Sequence, residues 1–293
     1  MSSSRRSFPA AEVAEAAGSR PVRRREIVGG YTRNARRWLV ELEDGRSVFV
    51  KVALDELAAQ WLRDEHRVYS TVHEAYLPAF LGWHDDEVTV LVLEDLSQAH
   101  WPPPWGDGQV DAALSALDAI HATPPPPEVK RLEDLRYQLQ GWTVVAADPE
   151  PSLSTGLCSR AWLEAALPAL LESEAACRFA GDDFLHFDFR SDNICFDGPR
   201  AVVLDWNWAC VGNPVVDLAA WLPSLAVEGG PQPWEILPAT GGAASFVAGF
   251  FAARAGMPPP PTATPEVREL QRVQGEVALA WAARELEIPR LPS

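Results

Sequence analysis

The chain has 293 residues, enough for one or two domains with a sizeable core, and 47% of them are hydrophobic, 12 being Trp, which excludes an intrinsically disordered protein. Its formal net charge of -16 argues against a nucleic-acid binder, which needs a basic face, and favours a cationic or neutral partner. No apolar run reaches the length of a membrane span, and the start at Met1 to Arg6 is not followed by the apolar stretch of a signal peptide.

Taken in order, residues 1–24 read as an N-terminal arm rich in Ser, Arg and Ala. Within it Pro9 to Ala17 suits one short helix, stopped by Gly18, and Arg23, Arg24 and Arg25 form a solvated basic cluster ahead of the first strand. Ile27-Val28 and Trp38-Leu39-Val40 flank Gly29-Gly30-Tyr31-Thr32-Arg33-Asn34, a hairpin with a glycine tip. Glycines there let backbone N–H groups approach a phosphate. Ser47 to Val52 is the third strand. It carries Lys51, one of two lysines in a chain that otherwise uses arginine, set among Val and Phe where a surface charge is unexpected.

Asp55 to about His73 has apolar residues at three- and four-residue steps, the period of a helix. Asp64 and Glu65 sit mid-helix about 100° apart, so only one of them can face the strand. Ala79–Trp83 and Val88–Leu93 are two more strands, followed by the polar tether Glu94-Asp95-Leu96-Ser97 and a stiff Trp101-Pro-Pro-Pro-Trp105 run.

From Gln109 the pattern becomes helical: about 109–123, 132–147, 159–179, 215–222, 234–254 and 265–286, with Asp148–Ser159 as a loop. One polar hairpin interrupts the helices. It reads His186-Phe-Asp188-Phe-Arg190-Ser-Asp192-Asn193, then the apolar Ile194-Cys-Phe, a turn at Asp197-Gly198-Pro199, and Ala201-Val-Val-Leu-Asp205. A loop Asp, an Asn five residues on and an Asp ending the next strand can converge on one point, as transfer of a phosphoryl group requires. Cys158, Cys177, Cys195 and Cys210 have neither paired nor metal-ligand spacing and are expected to be reduced and mostly buried in a cytoplasmic protein.

His-x-Asp-x-x-x-x-Asn followed by a strand ending in Asp205-Trp206 resembles the catalytic segment of the aminoglycoside phosphotransferase family, the small-molecule branch of the protein-kinase-like fold. The likeness runs from about residue 26 onward. It implies an α+β, bilobal, protein-kinase-like fold: an N-terminal antiparallel β-sheet lobe with one helix over 25–95, and a larger, mainly helical C-terminal lobe over 96–293. It implies a phosphotransferase that uses ATP or GTP with magnesium to phosphorylate a hydroxyl of a small molecule, cationic if it is an aminoglycoside or another amine-bearing antibiotic.

The resemblance also assigns residues. Asp188 is the catalytic base, and Asn193 and Asp205 are the magnesium ligands; apart from the resemblance, Arg190 stands two positions after the base, where contact with the γ-phosphate and an ion pair with Asp192 are both open. Lys51, anchored by Glu65, holds the α/β-phosphates under a loop containing Gly29 and Gly30. The carbonyl of Glu94 and the N–H of Leu96 hold adenine, with Leu93 behind it, and Asp217 steadies the catalytic loop. Asn207, beside Asp205, departs from the acidic or small residue common at that point. The acidic Glu276, Glu285 and Glu287 are candidates to meet ammonium groups, and Trp142, Trp208, Trp221 and Trp281 to line an apolar pocket. A metabolic kinase for an amino alcohol or sugar is the alternative substrate reading. A nucleotide-binding pseudokinase is the alternative of another class, disfavoured by the intact set Lys51, Asp188, Asn193 and Asp205. Monomer and homodimer are both open.

Overall fold

The computed structural model describes residues 8–289; the expectations for Met1 to Ser7 and for residues 290–293 lie outside them. In chain order the main elements are α1 (Ala10–Ala17), β1 (Pro21–Ile27), β2 (Ala35–Leu42), β3 (Ser47–Ala53), α2 (Glu56–Thr71), β4 (Phe80–Asp85), β5 (Thr89–Glu94), α3 (Gln109–Ala122), β6 (Lys130–Arg131), α4 (Arg160–Ala176), β7 (Asp183–Leu185), β8 (Ile194–Asp197), β9 (Arg200–Val203), β10 (Cys210–Gly212), α5 (Pro214–Val227), α6 (Gly241–Ala255) and α7 (Glu266–Glu285). They divide into two compact units. Among the described residues, one comprises 8–101 with Asp192–Ala209; the other comprises Pro102–Ser191 with 210–289. The chain thus leaves the first unit after Trp101 and returns to it for the β8–β9 hairpin.

The first unit is built on an antiparallel five-stranded sheet of order β1-β2-β3-β5-β4. Alternation along the strands gives the sheet two different faces. Trp38, Val40, Val48, Val50, Val52, Val90 and Val92 point one way and form a buried core with Val13 and Ala17 of α1. The residues between them, including Arg37, Phe49, Lys51, Leu91 and Leu93, take the other face. β2 and β3 pair Arg37 with Lys51, and β3 and β5 pair Lys51 with Leu91. A shift of one residue would exchange the two sets, so the apolar core pins the lysine's direction.

The N-terminal segment differs from a free arm. Its described part forms the expected helix, α1, with Gly18 left-handed at its end (φ 67°); one face of α1 packs Val13 and Ala17 into the core, and Ala10, Ala11 and Glu15 stay exposed. Arg23, Arg24 and Arg25 belong to β1, each paired to β2, and Arg23 meets Glu41 at 3.3 Å; they are exposed, as a basic cluster should be. Burial of one helix face outweighs the polar composition of the segment.

In the second unit, β10 pairs antiparallel with β7 and parallel with β6, and α3 and α5 pack against β7. The expected helix over 132–147 is broken into three short turns, the last starting after Gly141. The cause is close backbone packing: a Cβ on Gly141 would lie 1.8 Å from the Gly249 carbonyl oxygen, while the Gly141 N–H is held by Glu174 Oε1 at 2.8 Å. The expected 234–254 helix is likewise interrupted, by Leu237–Thr240 with Pro238, leaving a single turn and α6. Residues 150–154 form a helical turn inside the expected loop. All four cysteines are free thiols, three of them buried. No helix of the described residues is long and apolar enough to cross a membrane.

Gly82 on β4 tests the seating of α1, because a Cβ there would come 1.9 Å from the Ala16 carbonyl oxygen. Gly82→Ala is expected to destabilise the protein by about 1–3 kcal/mol through overpacking. Thermal denaturation checks it: an unchanged melting temperature would contradict the packing of α1 on the sheet.

Candidate active site

Within the first unit, Lys51 is directed from β3 toward α2. Asp55 caps this helix by accepting from the Ala58 N–H at 2.8 Å, which fixes its start and hence the phase of its faces. Glu65 then faces the sheet, and both its carboxylate oxygens lie 2.8 Å from Lys51 Nζ. Asp64, the rival carboxylate, turns aside to Gln60 Nε2 at 3.2 Å and Arg67 Nη1 at 3.1 Å. The same ammonium reaches Asp205 Oδ1 at 3.1 Å. Lys51 and Glu65 are 6% and 2% exposed, so the pair is shielded from water. Burial pushes the Glu65 carboxyl up to about 7, against the pull of Lys51. For Lys51, burial opposes the charge, but Asp205 and Glu65 together raise its pKa and keep it an ammonium.

Asp205 follows β9 in a left-handed backbone conformation, φ 67°, which a non-glycine residue adopts only when its surroundings enforce it. Part of that enforcement is Tyr69, four residues after Glu65 on the same face of α2, whose hydroxyl oxygen accepts the Asp205 N–H at 3.3 Å. In the sequence Tyr69 is one of the apolar residues that mark the helical period of α2, and its contact with Asp205 comes from the fold. Asn193 immediately precedes β8, and its carbonyl accepts the Leu204 N–H at 2.8 Å, so the β8–β9 hairpin sets Asn193 beside the residue next to Asp205. An amide oxygen and a carboxylate offered by one hairpin are hard oxygen donors. They suit magnesium, which takes one or two carboxylates and leaves further positions to water and phosphate. No cluster of three or more His, Cys, Asp or Glu that could hold a metal occurs among the described residues.

In the second unit, the loop after β7 carries His186, Asp188 and Arg190. Phe187 is also left-handed, φ 59°. Asp217, 1% exposed in the first turn of α5, braces this turn by accepting the His186 N–H at 3.0 Å and the Phe187 N–H at 2.8 Å. His121, at the end of α3, contacts the same carboxylate at 3.0 Å. His186 Nδ1 accepts the Asp188 N–H at 3.2 Å, so the buried histidine fixes the backbone of the next polar residue. Arg190 Nε lies 3.5 Å from Asp188 Oδ1. Glu228, unremarked in the sequence, ties the loop further, accepting from Ser191 Oγ and, at 2.9 Å, from Trp105 Nε1. Phe189 packs edge-on against Trp221 at 4.9 Å between ring centroids.

The remaining candidates occupy varied settings. Leu93 is fully buried on the Lys51 face of the sheet. The Glu94 side chain accepts from Arg200 Nη2 at 3.1 Å and from the Ala79 N–H at 2.9 Å. The Leu96 carbonyl is taken by Trp101 Nε1 at 3.1 Å and by the Ala99 N–H at 3.1 Å. Gly29 and Gly30 have φ of 150° and 79°, left-handed values that glycine tolerates best, and no atom lies within 4 Å of a Cβ built on Gly29. Trp142, Trp221 and Trp281 are fully buried in the core, so of the four candidate pocket tryptophans Trp208 alone is exposed. Glu285 accepts the Thr240 N–H at 2.9 Å and Glu276 lies 3.9 Å from Arg272, so these two carboxylates have structural partners. Glu287 is exposed.

Glu65→Ala would leave the buried Lys51 ammonium with Asp205 as its one carboxylate. Breaking a buried pair costs about 3–5 kcal/mol, and the remaining carboxylate places the expected loss near the lower end. Chemical denaturation of the variant measures it; a loss below about 1 kcal/mol would mean the pair is not buried in solution.

The family model described as the phosphotransferase enzyme family matches residues 25–270. No curated protein sequence matches the chain. Among solved structures, a thermostable mutant of aminoglycoside phosphotransferase APH(4)-Ia, in ternary complex with AMP-PNP and hygromycin B, is 18% identical with a TM-score of 0.59, covering 94% of this chain and 98% of its own. A putative fructosamine-3-kinase from Thermobifida fusca is 18% identical with a TM-score of 0.56, covering 92% and 98%. Macrolide 2'-phosphotransferase MphH from Brachybacterium faecium is 16% identical with a TM-score of 0.53, covering 96% and 98%. At these identities the likeness is one of fold, and the fold is kinase-like, with its antiparallel sheet N-terminal and its helices C-terminal. The match over residues 25–270 makes the chain a member of the phosphotransferase enzyme family, a small-molecule kinase whose acceptor is a hydroxyl.

Proposed function

We propose that the protein transfers the γ-phosphoryl group of ATP or GTP, with magnesium, to a hydroxyl of a small amine-bearing molecule in the cytoplasm, acting as a monomer or homodimer. The observation that carries this reading is the buried ammonium of Lys51, gripped by both oxygens of Glu65 and by Asp205. A desolvated lysine fixed in one direction is a cost to folding that phosphate binding explains.

The roles follow from the chemistry of each group. Lys51 holds the α/β-phosphates, and Glu65 keeps it aimed. Gly29 and Gly30 let the loop backbone lie close over the phosphates. Glu94 and Leu96 meet the base through their backbones, with Leu93 behind it. Asn193 and Asp205 would hold magnesium, which when bound supplies neutralisation of phosphate charge. Asp188 accepts the proton as the acceptor oxygen forms its bond to the γ-phosphorus, while the bond from that phosphorus to the β–γ bridging oxygen breaks and the nucleoside diphosphate leaves with that electron pair. Arg190, 3.5 Å from Asp188, neutralises charge beside it and is close enough in sequence to share the γ-phosphate. Asp217 and His121 hold the loop's strained turn, so the base needs little reorganisation at the moment of reaction.

The amine-bearing acceptor rests on the net charge of -16 and on similarity to an enzyme solved with hygromycin B. A metabolic acceptor has its own support in the similarity to a putative fructosamine-3-kinase and to a choline/ethanolamine kinase family protein from Mesorhizobium loti, 14% identical with a TM-score of 0.53. A nucleotide-consumption screen over aminoglycosides, macrolides, amino alcohols and sugars separates the two, and antibiotic inactivation is supported by the first outcome alone. Asp188→Ala is expected to lower turnover of the substrate so found by at least ~10²-fold while leaving nucleotide affinity within about threefold. Steady-state kinetics with nucleotide-binding calorimetry checks this, and unchanged turnover would remove Asp188 from the chemistry.

A further inference from the structure

Arg37 occupies an unusual position in the first unit. It lies directly opposite Lys51 in the β2–β3 register, so the two side chains leave the same face of the sheet. Its guanidinium reaches back under the glycine loop. Nη2 donates to Thr32 Oγ1 at 3.1 Å, and Nη1 would be 3.4 Å from a Cβ on Gly30. Several arginines of this unit meet carboxylates, Arg20 with Glu43, Arg23 with Glu41, Arg36 with Glu26 and Arg46 with Asp44, while Arg24, Arg25 and Arg33 are exposed to water. Arg37 has no carboxylate within ion-pair distance among the described residues, and its one hydrogen bond to a side chain is to a neutral hydroxyl. It is half-buried, so water screens it incompletely. Its charge lies close enough to act on the buried pair, opposing the Lys51 ammonium and favouring the Glu65 carboxylate. Two like charges on one sheet face, one of them with no carboxylate at ion-pair distance among the described residues, beneath a loop where Gly29 has open space around it, make a setting that an anion with several oxygens would relieve.

We infer that Arg37 is a second cation for the nucleotide, a forked guanidinium that contacts phosphate oxygens between the glycine loop and Lys51. The inference rests on the nucleotide site proposed above and adds a residue to it. Lys51 supplies a compact charge whose direction Glu65 sets. Arg37 supplies up to two parallel N–H donors, the geometry in which a guanidinium grips a phosphate. Because Arg37 also binds Thr32, a phosphate it holds would be tied to the loop that covers it.

The experiment measures affinity for adenosine, ADP and ATP with magnesium, by competition calorimetry, in the wild type, Arg37→Gln and Arg37→Lys, each first shown by thermal melting to be folded. Arg37→Gln is expected to weaken ATP at least tenfold, ADP less, and adenosine less than twofold, with Arg37→Lys recovering part of the loss. Equal ATP affinity in wild type and Arg37→Gln would overturn the inference and leave the nucleotide site standing. Equal losses for adenosine and ATP would also overturn it, making Arg37 a strut of the sheet. Failure of the wild type to bind ATP and, in the same assay, GTP would overturn both readings. If Arg37→Gln does not fold, Arg37→Lys alone decides: it should keep adenosine affinity and weaken ATP, and full ATP affinity in it would count against a bidentate grip.

Discussion

The buried ammonium of Lys51 is the constraint from which the rest of the first unit can be read. An ammonium 6% exposed persists only with partners, and it has two carboxylates, one on α2 and one after β9. To deliver them the helix must begin at Asp55, the sheet must keep its register, and the chain must return for the β8–β9 hairpin after leaving the unit at Trp101. The valine core on the opposite face, sealed by α1, holds that register. Packing on one side of the sheet thereby fixes electrostatics on the other.

The second unit follows the same logic with backbone in place of side chain. A left-handed Phe187 is costly for a non-glycine residue, of order 1–3 kcal/mol, and is kept because Asp217 accepts two successive N–H groups across the turn. His121 and His186 add polar contacts to the same few residues, and Glu228 links Ser191 to Trp105. Several groups that touch no expected ligand thus share the work of holding one loop. That is the arrangement preorganised catalysis calls for.

The helical phase was legible where apolar residues recur, as in α2 and α3, and β2, β3 and β5 were legible as short apolar runs of strand length. The breaks at Gly141 and Leu237–Thr240 were not, because they arise from the meeting of segments distant in the chain, as when the Gly141 and Gly249 backbones touch. The embedding of α1 was missed for a similar reason: its eight residues are too short to hold together alone and depend on Trp38 and Val50 for their burial. Among the four candidate tryptophans, core packing claimed three, the usual fate of large aromatic rings.

Local spacing alone carried the His186-to-Asp205 pattern and the family it resembles, since short motifs need nothing beyond neighbouring residues to be read. It also narrowed the partner of Lys51 to two adjacent carboxylates. The family resemblance named Glu65, and tertiary contacts supply the physical reason, rotating Glu65 onto the sheet and Asp64 toward Gln60 and Arg67. Tyr69 behind Asp205, Glu228 behind Ser191 and Arg37 opposite Lys51 became visible only once the chain was folded. The physical reason is that a hydrogen bond or a cross-strand pair depends on distance in space, which residue order does not encode.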